Sequence, residues 1–520
     1  MLKSRLCIAF FAFAVGCAPA QKPLTDYVNP MLGTATLWDS VDLGFKPTKR
    51  TWGAEVFPGS SLPNAMVQVS PVTKFHSGAG YQYEDSVIYG FTHTNKGHWN
   101  LCHIPLLPVT GTPTPGDYCS PFSHERESAA PGYYQVFLDR YGVDAQLSST
   151  LRCAFHKYTY PAGAAASLLA DLQRSNEHVR AWDIRKEGDN VFAGWQQTGE
   201  KMYFYAVANR PVTGIEPVVE GDREVRIVRF GEGDGALELR IGFSFVSEKN
   251  ARENLEAEML GKSFAEVRSE ATATWNDLLG RIRVEGGTER EKGLFYSSLY
   301  RSFLWPALRS DVNGEFTDVD GKVINPGFRY YTGPSYWDDY RNKLILLGML
   351  APDVAADVIS SDTDKGEKRG GFMPTFFHGD HASAFVAGTY LRGNRGFDVN
   401  RAYNLVLRNA TVQGPSRPWL DEYIAKGYIS EMDVENPVTW TVCKAAVTKT
   451  LEYSYDDYAV ALLADALGDK ENHDMLMKRT SNYKNLFDPS TGTSIPTMNI
   501  CTARRMPGSR RSLHRTTPRG

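Results

Sequence analysis

Polar and aromatic side chains crowd three short segments of the chain, and each segment combines hydrogen-bonding groups with flat rings. The first is the glycine-bounded run 90–100, in which Trp99 supplies an indole and His98 and Asn100 supply polar groups. An indole can stack on the face of a sugar while its neighbours bond the hydroxyls. A well-packed surface loop explains the same composition, so both interpretations stay open.

The second segment reads Tyr-Trp-Asp-Asp-Tyr-Arg over residues 336–341, at the expected start of a helix. Asp338 and Arg341 lie about one helical turn apart beside Trp337. A carboxylate and a guanidinium at that spacing can hold hydroxyls through charge-assisted hydrogen bonds. Acidic residues are also favoured at a helix start by the helix dipole, so simple helix stabilisation is the alternative.

The third segment pairs two stretches, residues 378–381 with Asp380 and His381, and residues 451–458 with Asp456. We place both at or just before helix starts, where aspartate is a common cap. In a ring of helices, the starts on one rim surround a shared cavity. Carboxylates converging there would supply the acid and the base or nucleophile of a glycosidase, and both interpretations stay open.

Several familiar site motifs are missing from the sequence. It contains no glycine loop for nucleotides, no His-Glu-x-x-His, no Gly-x-Ser-x-Gly and no Cys-x-x-Cys. The simplest signs of metalloprotease, esterase or cysteine–zinc chemistry are therefore absent. The stretch 311–321 superficially resembles a calcium loop but lacks its acid spacing and closing glutamate, and we interpret it as turns.

The chain start predicts export. Lys3 and Arg5 precede an apolar run over 6–16, and Ala18-Pro19-Ala20 offers a cleavage site, which together indicate a signal peptide over residues 1–20. The alternative is cleavage before Cys17, which would then carry a lipid anchor. Either alternative places the protein in a bacterial periplasm or at the outer membrane.

Charge, apolar runs and cysteine usage narrow the partners. The formal net charge is −3 without an evident basic face, which argues against nucleic acid. No stretch after the signal is apolar enough to span a membrane. Five cysteines remain after residue 20, an odd, sparse set that makes no disulfide framework; one bridge among Cys102, Cys119 and Cys153 is compatible with it.

Hydrophobic periodicity divides the chain into two parts. From residue 24 to 247, short alternating runs such as 133–138, 223–228 and 236–241 predict strands. Many short strands with turn signals are typical of a β-sandwich. After residue 247 the period becomes helical. We predict helices over 251–279, 292–308, 338–349, 382–391, 399–407, 455–467 and 472–486, and such repeated helices indicate a toroid.

Taken together, the motifs resemble glycoside hydrolase family 92 from Tyr27 to Ser494. The landmarks are Asn29–Thr34, Phe57–Gln68, Gly90–Thr94, Pro108–Gly111, His124-Glu125, Ala130–Tyr134, Trp337–Arg341, Gly379–His381 and Leu451–Asp457. The resemblance implies a multidomain β + α fold, with an N-terminal β-sandwich followed by an (α/α)6 helical toroid. We expect the sandwich over 21–275, the toroid, incomplete, over 276–500, and an aberrant basic tail over 501–520.

The resemblance also implies an exo-acting, inverting, calcium-dependent α-mannosidase, α-1,2-mannosidase-like, that degrades mannose-containing N-glycans. The candidate substrate-binding residues are Trp99, His98, Asn100, Trp337, Asp338, Arg341, Asp380 and His381, of which the resemblance itself implies Trp99, Asp338 and Arg341. Inversion requires an acid and a base separated by about 6.5–9.5 Å, with water between them. The metal ligands are not identified by the motifs.

The sequence departs from the family in three places. The loop 96–100 differs from the common pattern, which bears on the linkage cleaved. The Glu-Gly-Asn stretch of the catalytic Glu and the acidic stretch before Gly-Gln of the catalytic Asp are absent, so we expect inactivity as written. Residues 499–520 are rich in Arg, Ser, Thr and Pro, and we interpret them as out-of-frame translation, with a basic binding arm as the alternative.

Two other functions stay open beside the enzyme. A carbohydrate-binding relic would keep the sugar-gripping residues without catalysis. A glycosidase of another specificity could share the same architecture, since fold does not fix substrate.

Overall fold

The computed structural model describes residues 22–36, 56–96, 99–233, 235–430, 445–488 and 493–494, with the backbone alone for residues 95, 96, 99, 100, 488, 493 and 494. Within these residues a sheet-rich part precedes a helical part, which confirms the predicted fold class. The predicted signal peptide, Cys17 and the tail over 501–520 lie outside the described residues.

The strands are short, as the alternating runs predict. In chain order they are β1 (Ser60–Ser61), β2 (Gln68–Val72), β3 (Val87–Ile88), β4 (Gly90–Thr92), β5 (Asn95–Lys96), β6 (Trp99–Asn100), β7 (Leu106–Val109), β8 (Ser120–Pro121), β9 (Glu127–Ala130), β10 (Tyr133–Leu138), β11 (Val143–Ser149), β12 (Cys153–Thr159), β13 (Ser167–Ala170), β14 (Ala181–Gly188), β15 (Val191–Gln197), β16 (Lys201–Ala208), β17 (Val212–Glu220), β18 (Arg223–Phe230), β19 (Leu237–Ser244), β20 (Phe316–Thr317), β21 (Val323–Ile324), β22 (Phe487–Asp488) and β23 (Thr493–Ser494).

Two antiparallel sheets form the sandwich. One has the order β1-β2-β4-β7-β13-β18-β17, and the other has the order β14-β15-β16-β19-β12-β11-β10-β9. They pack face to face through rings such as Phe91 on β4, whose centroid lies 6.4 Å from Tyr134 on β10 and 6.3 Å from Tyr158 on β12. Along β16, buried residues alternate with half-buried ones, as expected for a strand with one face in a core.

The helices begin directly after the sandwich. They are α1 (Glu248–Glu258), α2 (Phe264–Leu279), α3 (Glu289–Ser302), α4 (Tyr336–Asp339), α5 (Lys343–Leu350), α6 (Pro352–Lys368), α7 (Ala382–Leu391), α8 (Val399–Thr411), α9 (Leu420–Lys426), α10 (Ala446–Leu467) and α11 (Lys470–Arg479). Short 3-10 turns occur at Leu24–Tyr27, His124–Arg126 and Asn482–Leu486. Helix α10 packs against α7, α8 and α11.

The first two helices cover the outer face of the eight-stranded sheet. Leu255 of α1 and Phe264 of α2 share a small core with Phe155 of β12. Gly242 on β19 permits this approach, because a Cβ there would lie 2.1 Å from the carbonyl oxygen of Ala251. The predicted limit between residues 275 and 276 falls inside α2, and the domain limits stay a prediction.

Several helix bounds differ from the predicted ones, for local reasons. The predicted helix 251–279 is broken, and α2 restarts at a capping box in which Ser263 and Glu266 exchange hydrogen bonds. The predicted helix 338–349 is interrupted at Asn342, with φ −140°. The predicted helix 292–308 ends at residue 302, and 472–486 is split between α11 and a 3-10 turn. Helix α10 begins nine residues before the predicted Tyr455, and α6 and α9 were not predicted.

Two smaller predictions are also decided. Strands β20 and β21 pair around residues 318–322, with φ 76° at Gly321, which confirms the turn interpretation of this stretch. Cys102, Cys119 and Cys153 are free thiols, so the bridge considered among them does not form.

By length and composition, no single helix in the described residues could span a bilayer; α5 and α6 pass only as a pair bent by 119°.

A buried network of ion pairs and hydrogen bonds joins the segment before α7 to helices α8, α10 and α11. Arg417 is completely buried, and its guanidinium lies 3.2 Å from Asp380 and 2.6 Å from Asp457 of α10. Arg479 approaches the other oxygen of Asp457 at 3.1 Å. Asn409 of α8 donates to Asp380 at 2.9 Å. Burial raises the pKa values of both carboxyls, to about 6 for Asp380, and Arg417 opposes that shift.

Replacing Arg417 with Met should lower the free energy of unfolding by about 3–5 kcal/mol, because the two buried carboxylates would lose their shared cation. Urea unfolding measures this change. The matched control is Arg401→Met, which breaks an exposed pair with Glu367 and should cost less than about 1 kcal/mol. Equal losses in the two variants would contradict the central role given to Arg417.

Candidate functional site

Helix α4 spreads the Tyr-Trp-Asp-Asp motif over two faces. On one face, Asp338 and Asp339 line a cavity of about 1370 Å³ between the sheet-rich and helical parts. On the other face, Trp337 and Tyr340 contact α10 and the residue before α7. Arg341, which is exposed, lies over both rings, 5.9 Å from the Trp337 centroid and 5.1 Å from that of Tyr340.

The cavity wall mixes charges of both signs with aromatic rings. The sheet-rich part contributes Leu101, Glu177, Glu200 and Tyr203, and the helical part contributes Asp362, Lys365 and Phe376 among others. Phe376 is exposed and can offer its ring to a ligand. Balanced charges beside flat rings suit a neutral ligand rich in hydroxyls better than a strongly charged one.

The Trp337 indole is fixed from two sides while remaining partly exposed. Its ring stacks on Phe377 at a centroid distance of 5.3 Å and an angle of 25°. Its Nε1–H donates to Glu452 Oε1 at 3.2 Å. Glu452 is largely buried, with 17% of its side chain exposed. A ring held in this way has few alternative rotamers, which suits it to stacking on a sugar.

His381 is the centre of a cluster beside α4, in which it contacts Tyr340, Asp456 and Glu452. Its side chain is completely buried, and its ring lies 3.8 Å from that of Tyr340, nearly parallel at 8°. Nδ1 bonds Asp456 Oδ1 at 2.9 Å. Nε2 lies 3.0 Å from Glu452 Oε2, an ion-pair contact without hydrogen-bond alignment. Burial alone would lower the pKa of His381, but Asp456 and Glu452 outweigh it and raise the pKa to about 10. The imidazole is therefore a cation at neutral pH.

The structure places the predicted site residues of the helical part in two groups. Trp337, Asp338 and Arg341 lie together at α4, where Asp338 lines the cavity and Trp337 contacts Glu452 of α10. Asp380 and His381 are completely buried, and direct sugar contact by these two residues stays a prediction.

The loop around Trp99 is described by its backbone. Trp99 and Asn100 form β6, whose residues pair with β5 in a hairpin, and His98 lies outside the described residues. The next residue, Leu101, lines the cavity, which places the end of β6 beside it. Sugar contacts by Trp99, His98 and Asn100 stay a prediction.

The structure also changes the interpretation of the aspartates. Asp456 lies in the middle of α10 rather than at its start, so the capping interpretation is wrong for this residue. Helix α7 begins after His381 without a side-chain cap, and the Asp380 carboxylate instead bonds Ser383, Asn409 and Arg417. Two members of the cluster were not singled out from the sequence: Glu452, which lies in the predicted segment 451–458 four residues before Asp456, and Arg417, for which the sequence carries no signal.

The carboxylates beside α4 do not offer a calcium site. Ca²⁺ takes six to eight oxygen ligands. In the part of the chain that the structure describes, no group of three or more His, Cys, Asp or Glu side chains is placed to hold a metal. Glu452 and Asp456 are engaged by His381, and Asp380 and Asp457 by Arg417. The described residues alone therefore do not fit the metal.

Comparison with known proteins decides the family. The sequence profile of the Glycosyl hydrolase family 92 N-terminal domain matches residues 27–253, and that of the Glycosyl hydrolase family 92 catalytic domain matches residues 250–506. The chain belongs to glycoside hydrolase family 92. The two profiles meet within α1, which packs on the sandwich while leading into the helical part.

Relatives of this family 92 chain include enzymes of known structure. A protein of Arthroderma benhamiae described as an uncharacterized secreted glycosidase is 25% identical, over 89% of this chain and 62% of its own length. A family 92 α-mannosidase of Bacteroides thetaiotaomicron, also solved with mannoimidazole, is 26% identical with a TM-score of 0.80, covering 91% of this chain and 66% of its own. An inverting family 92 mannosidase of Bacteroides thetaiotaomicron VPI-5482 is 25% identical with a TM-score of 0.78, over 90% and 66%.

These coverages have two consequences for the family 92 chain. It spans 62% to 66% of the length of these relatives, so the activity of the whole proteins is carried over only as a proposal. The Arthroderma benhamiae relative is described as secreted, which is consistent with the predicted export.

The raised pKa of His381 predicts a pH-dependent contribution to stability. Because the folded-state pKa of about 10 exceeds the ordinary value of 6.5, the imidazolium contribution is fully present below pH 6.5 and is lost as the pH rises toward 10. His381→Gln should therefore lower the free energy of unfolding by a few kcal/mol at low pH, with a shrinking difference from wild type at alkaline pH. Urea unfolding across this range measures it.

The control for this experiment is His473→Gln, which alters a half-buried imidazole beside Asp474. It should change stability by less than about 1 kcal/mol at any of these pH values. A wild-type-to-His381→Gln difference that stays constant with pH would show that the imidazole carries no charge in the folded protein.

Proposed function

We propose that this family 92 protein is of the α-mannosidase type and binds the terminal mannose of glycans at α4. The observation that supports the proposal most directly is the match of the two domains to family 92 α-mannosidase structures at TM-scores of 0.80 and 0.78. The arrangement at α4 agrees with it, since one turn of helix presents an indole, a carboxylate and a guanidinium.

The proposed binding mode uses the edge between the two faces of α4, because Trp337 and Asp338 are successive residues and lie about 100° apart around the helix. The Trp337 ring, held by Phe377 and Glu452, stacks on the apolar face of a pyranose. Asp338, at the cavity wall, accepts hydrogen bonds from sugar hydroxyls, while Arg341 donates to them. The remainder of a glycan extends into the cavity, whose volume of about 1370 Å³ exceeds the size of one sugar ring.

The finer features of the reaction are part of the same proposal. We infer exo-action on N-glycan mannose, α-1,2-linked in the first instance, and inversion, a stereochemistry that one relative is described as having. Proton NMR of the first mannose anomer released would test inversion.

A non-catalytic carbohydrate-binding role is the second candidate. It is favoured by the pairing of the described carboxylates behind α4, where His381 contacts Glu452 and Asp456, and Arg417 contacts Asp380 and Asp457. Paired, buried carboxylates are poor proton donors and acceptors for a substrate. Hydrolysis of a panel of aryl glycosides separates the two candidates and also reveals a glycosidase of another specificity.

The proposed location is the bacterial periplasm or, with a lipid on Cys17, the outer membrane. The support is the charged start, the apolar run and the small-residue cleavage site of the first 20 residues. Metabolic labelling with a fatty acid distinguishes the lipoprotein from simple cleavage.

Substituting Asn for Asp338 should weaken the binding of mannoimidazole about tenfold or more, because a charge-assisted hydrogen bond contributes about 1.5–3 kcal/mol. Isothermal titration calorimetry of the full chain measures the dissociation constant. The matched control is Asp353→Asn, an exposed carboxylate in the first turn of α6 away from the cavity wall, which should bind as wild type does. Unchanged affinity in the Asp338 variant would remove the carboxylate from the proposed site.

Calcium dependence is proposed on the family resemblance alone, since the described carboxylates do not supply a ligand set. Removing divalent ions with a chelator should weaken mannoside binding more than about tenfold, and added Ca²⁺ should restore it better than Mg²⁺, whose smaller octahedral shell suits fewer protein ligands. Calorimetry before and after chelation measures both effects. Affinity that chelation leaves unaltered would sink the calcium proposal and leave the mannoside site standing.

A further inference from the structure

A continuous set of contacts connects the core of the helical part to the exposed face of α4. It starts at Asp456, which is completely buried and accepts the backbone N–H of Asp380 at 2.6 Å as well as His381 Nδ1 at 2.9 Å. It continues from His381 to Glu452 at 3.0 Å and from Glu452 to the Trp337 indole at 3.2 Å. Each member therefore touches the next, from a residue without solvent contact to one that a ligand can reach.

The two carboxylates in this set belong to neighbouring turns of α10. Glu452 and Asp456 are four residues apart, a spacing at which like charges repel each other on a helix. His381 lies between them and contacts one oxygen of each, so its positive charge offsets the repulsion and fixes both side chains. The second oxygen of Glu452 then stays directed at the Trp337 Nε1–H.

His381 also holds α4 by a second route. Its ring is stacked on Tyr340, which directly follows α4, with the two planes 8° apart. Tyr340 and Trp337 are three residues apart and lie on the same side of the turn, under Arg341. One imidazole thus contacts the C-terminal side of α4 through its ring face and the indole through Glu452.

We propose that His381 is a positioning residue for sugar recognition, acting through Glu452 and Tyr340 to set the orientation of Trp337. The inference rests on the proposed binding of mannosides at α4. The sequence motif predicts direct sugar contact by His381, whereas the inference gives this buried imidazole an indirect role. The Gly379-Asp380-His381 and Leu451–Asp457 motifs then act together, since the first supplies His381 and the second supplies Glu452, which contacts the indole.

The first measurement needs no ligand. The near-ultraviolet circular dichroism of Trp337 is obtained by subtracting the spectrum of a Trp337→Phe variant from that of its parent. This difference band should be present in the wild type, largely lost in His381→Gln, and retained in His93→Gln, which alters a buried imidazole in the sheet-rich part beside His156. Glu452→Gln keeps an acceptor for the indole and should retain the band, whereas Glu452→Ala should lose it.

The second measurement uses mannoimidazole as the probe in calorimetry. His381→Gln should raise the dissociation constant about tenfold, and the double variant with Trp337→Phe should bind no more weakly than Trp337→Phe alone, because the two changes act through one ring. An unchanged Trp337 band in a folded His381→Gln protein, or losses that add in the double variant, would overturn the proposal. If His381→Gln does not fold, the contrast between the two Glu452 variants decides.

The outcomes separate this inference from the function on which it rests. A wild type that binds no mannoside, yet whose Trp337 band depends on His381, defeats the mannosidase-type function and leaves the positioning role intact. A wild type that binds mannoimidazole, with affinity and band both unaltered in His381→Gln, defeats the positioning role alone.

Discussion

Charges buried between the helices must be neutralised where they lie, and most of this structure's candidate site follows from how that is done. Helix α10 brings Glu452, Asp456 and Asp457 into the interior, and His381 and Arg417 come from segments before α7 and α9 to meet them. Such groups are costly to bury and are tolerated only with close partners. Their directional contacts fix α7 and α10 more narrowly than apolar packing would, because apolar contacts tolerate small shifts.

The cluster also explains how a very short helix can be held in one position. Helix α4 has only four residues and cannot be stable alone. Its orientation is imposed from outside by Phe377, Glu452 and His381 on one side and by the hydrogen bond from Tyr336 to Asp362 on the other. Rigid placement of this kind reduces the entropy that a protein loses on binding a ligand.

The sequence is informative where a local rule operates and silent where partners are remote. Strand β10 is predicted to the residue, because its burial alternates along the run Tyr133–Leu138. Helix α10 is predicted nine residues too short, because polar residues such as Lys449 and Asp456 occupy buried positions and blur the amphipathic period. The break before α2 could have been found, since Ser263 and Glu266 have the spacing of a capping box.

The candidate site shows the same contrast between local patterns and remote partners. The motif at α4 was identified from residue types three positions apart, and the structure keeps its members together. Arg417 escaped notice because its partners, Asp380 and Asp457, lie 37 and 40 residues away. No periodicity links such positions. His381 was identified, but a sequence shows that an imidazole is present without showing that it is buried.

The polar residues of α10 together fix the position of this helix along its axis. If this helix slipped by a single residue, Glu452, Asp456 and Asp457 would each rotate by about 100° away from their cations and into apolar neighbours. Alternative registers, common in apolar helix packing, are therefore excluded.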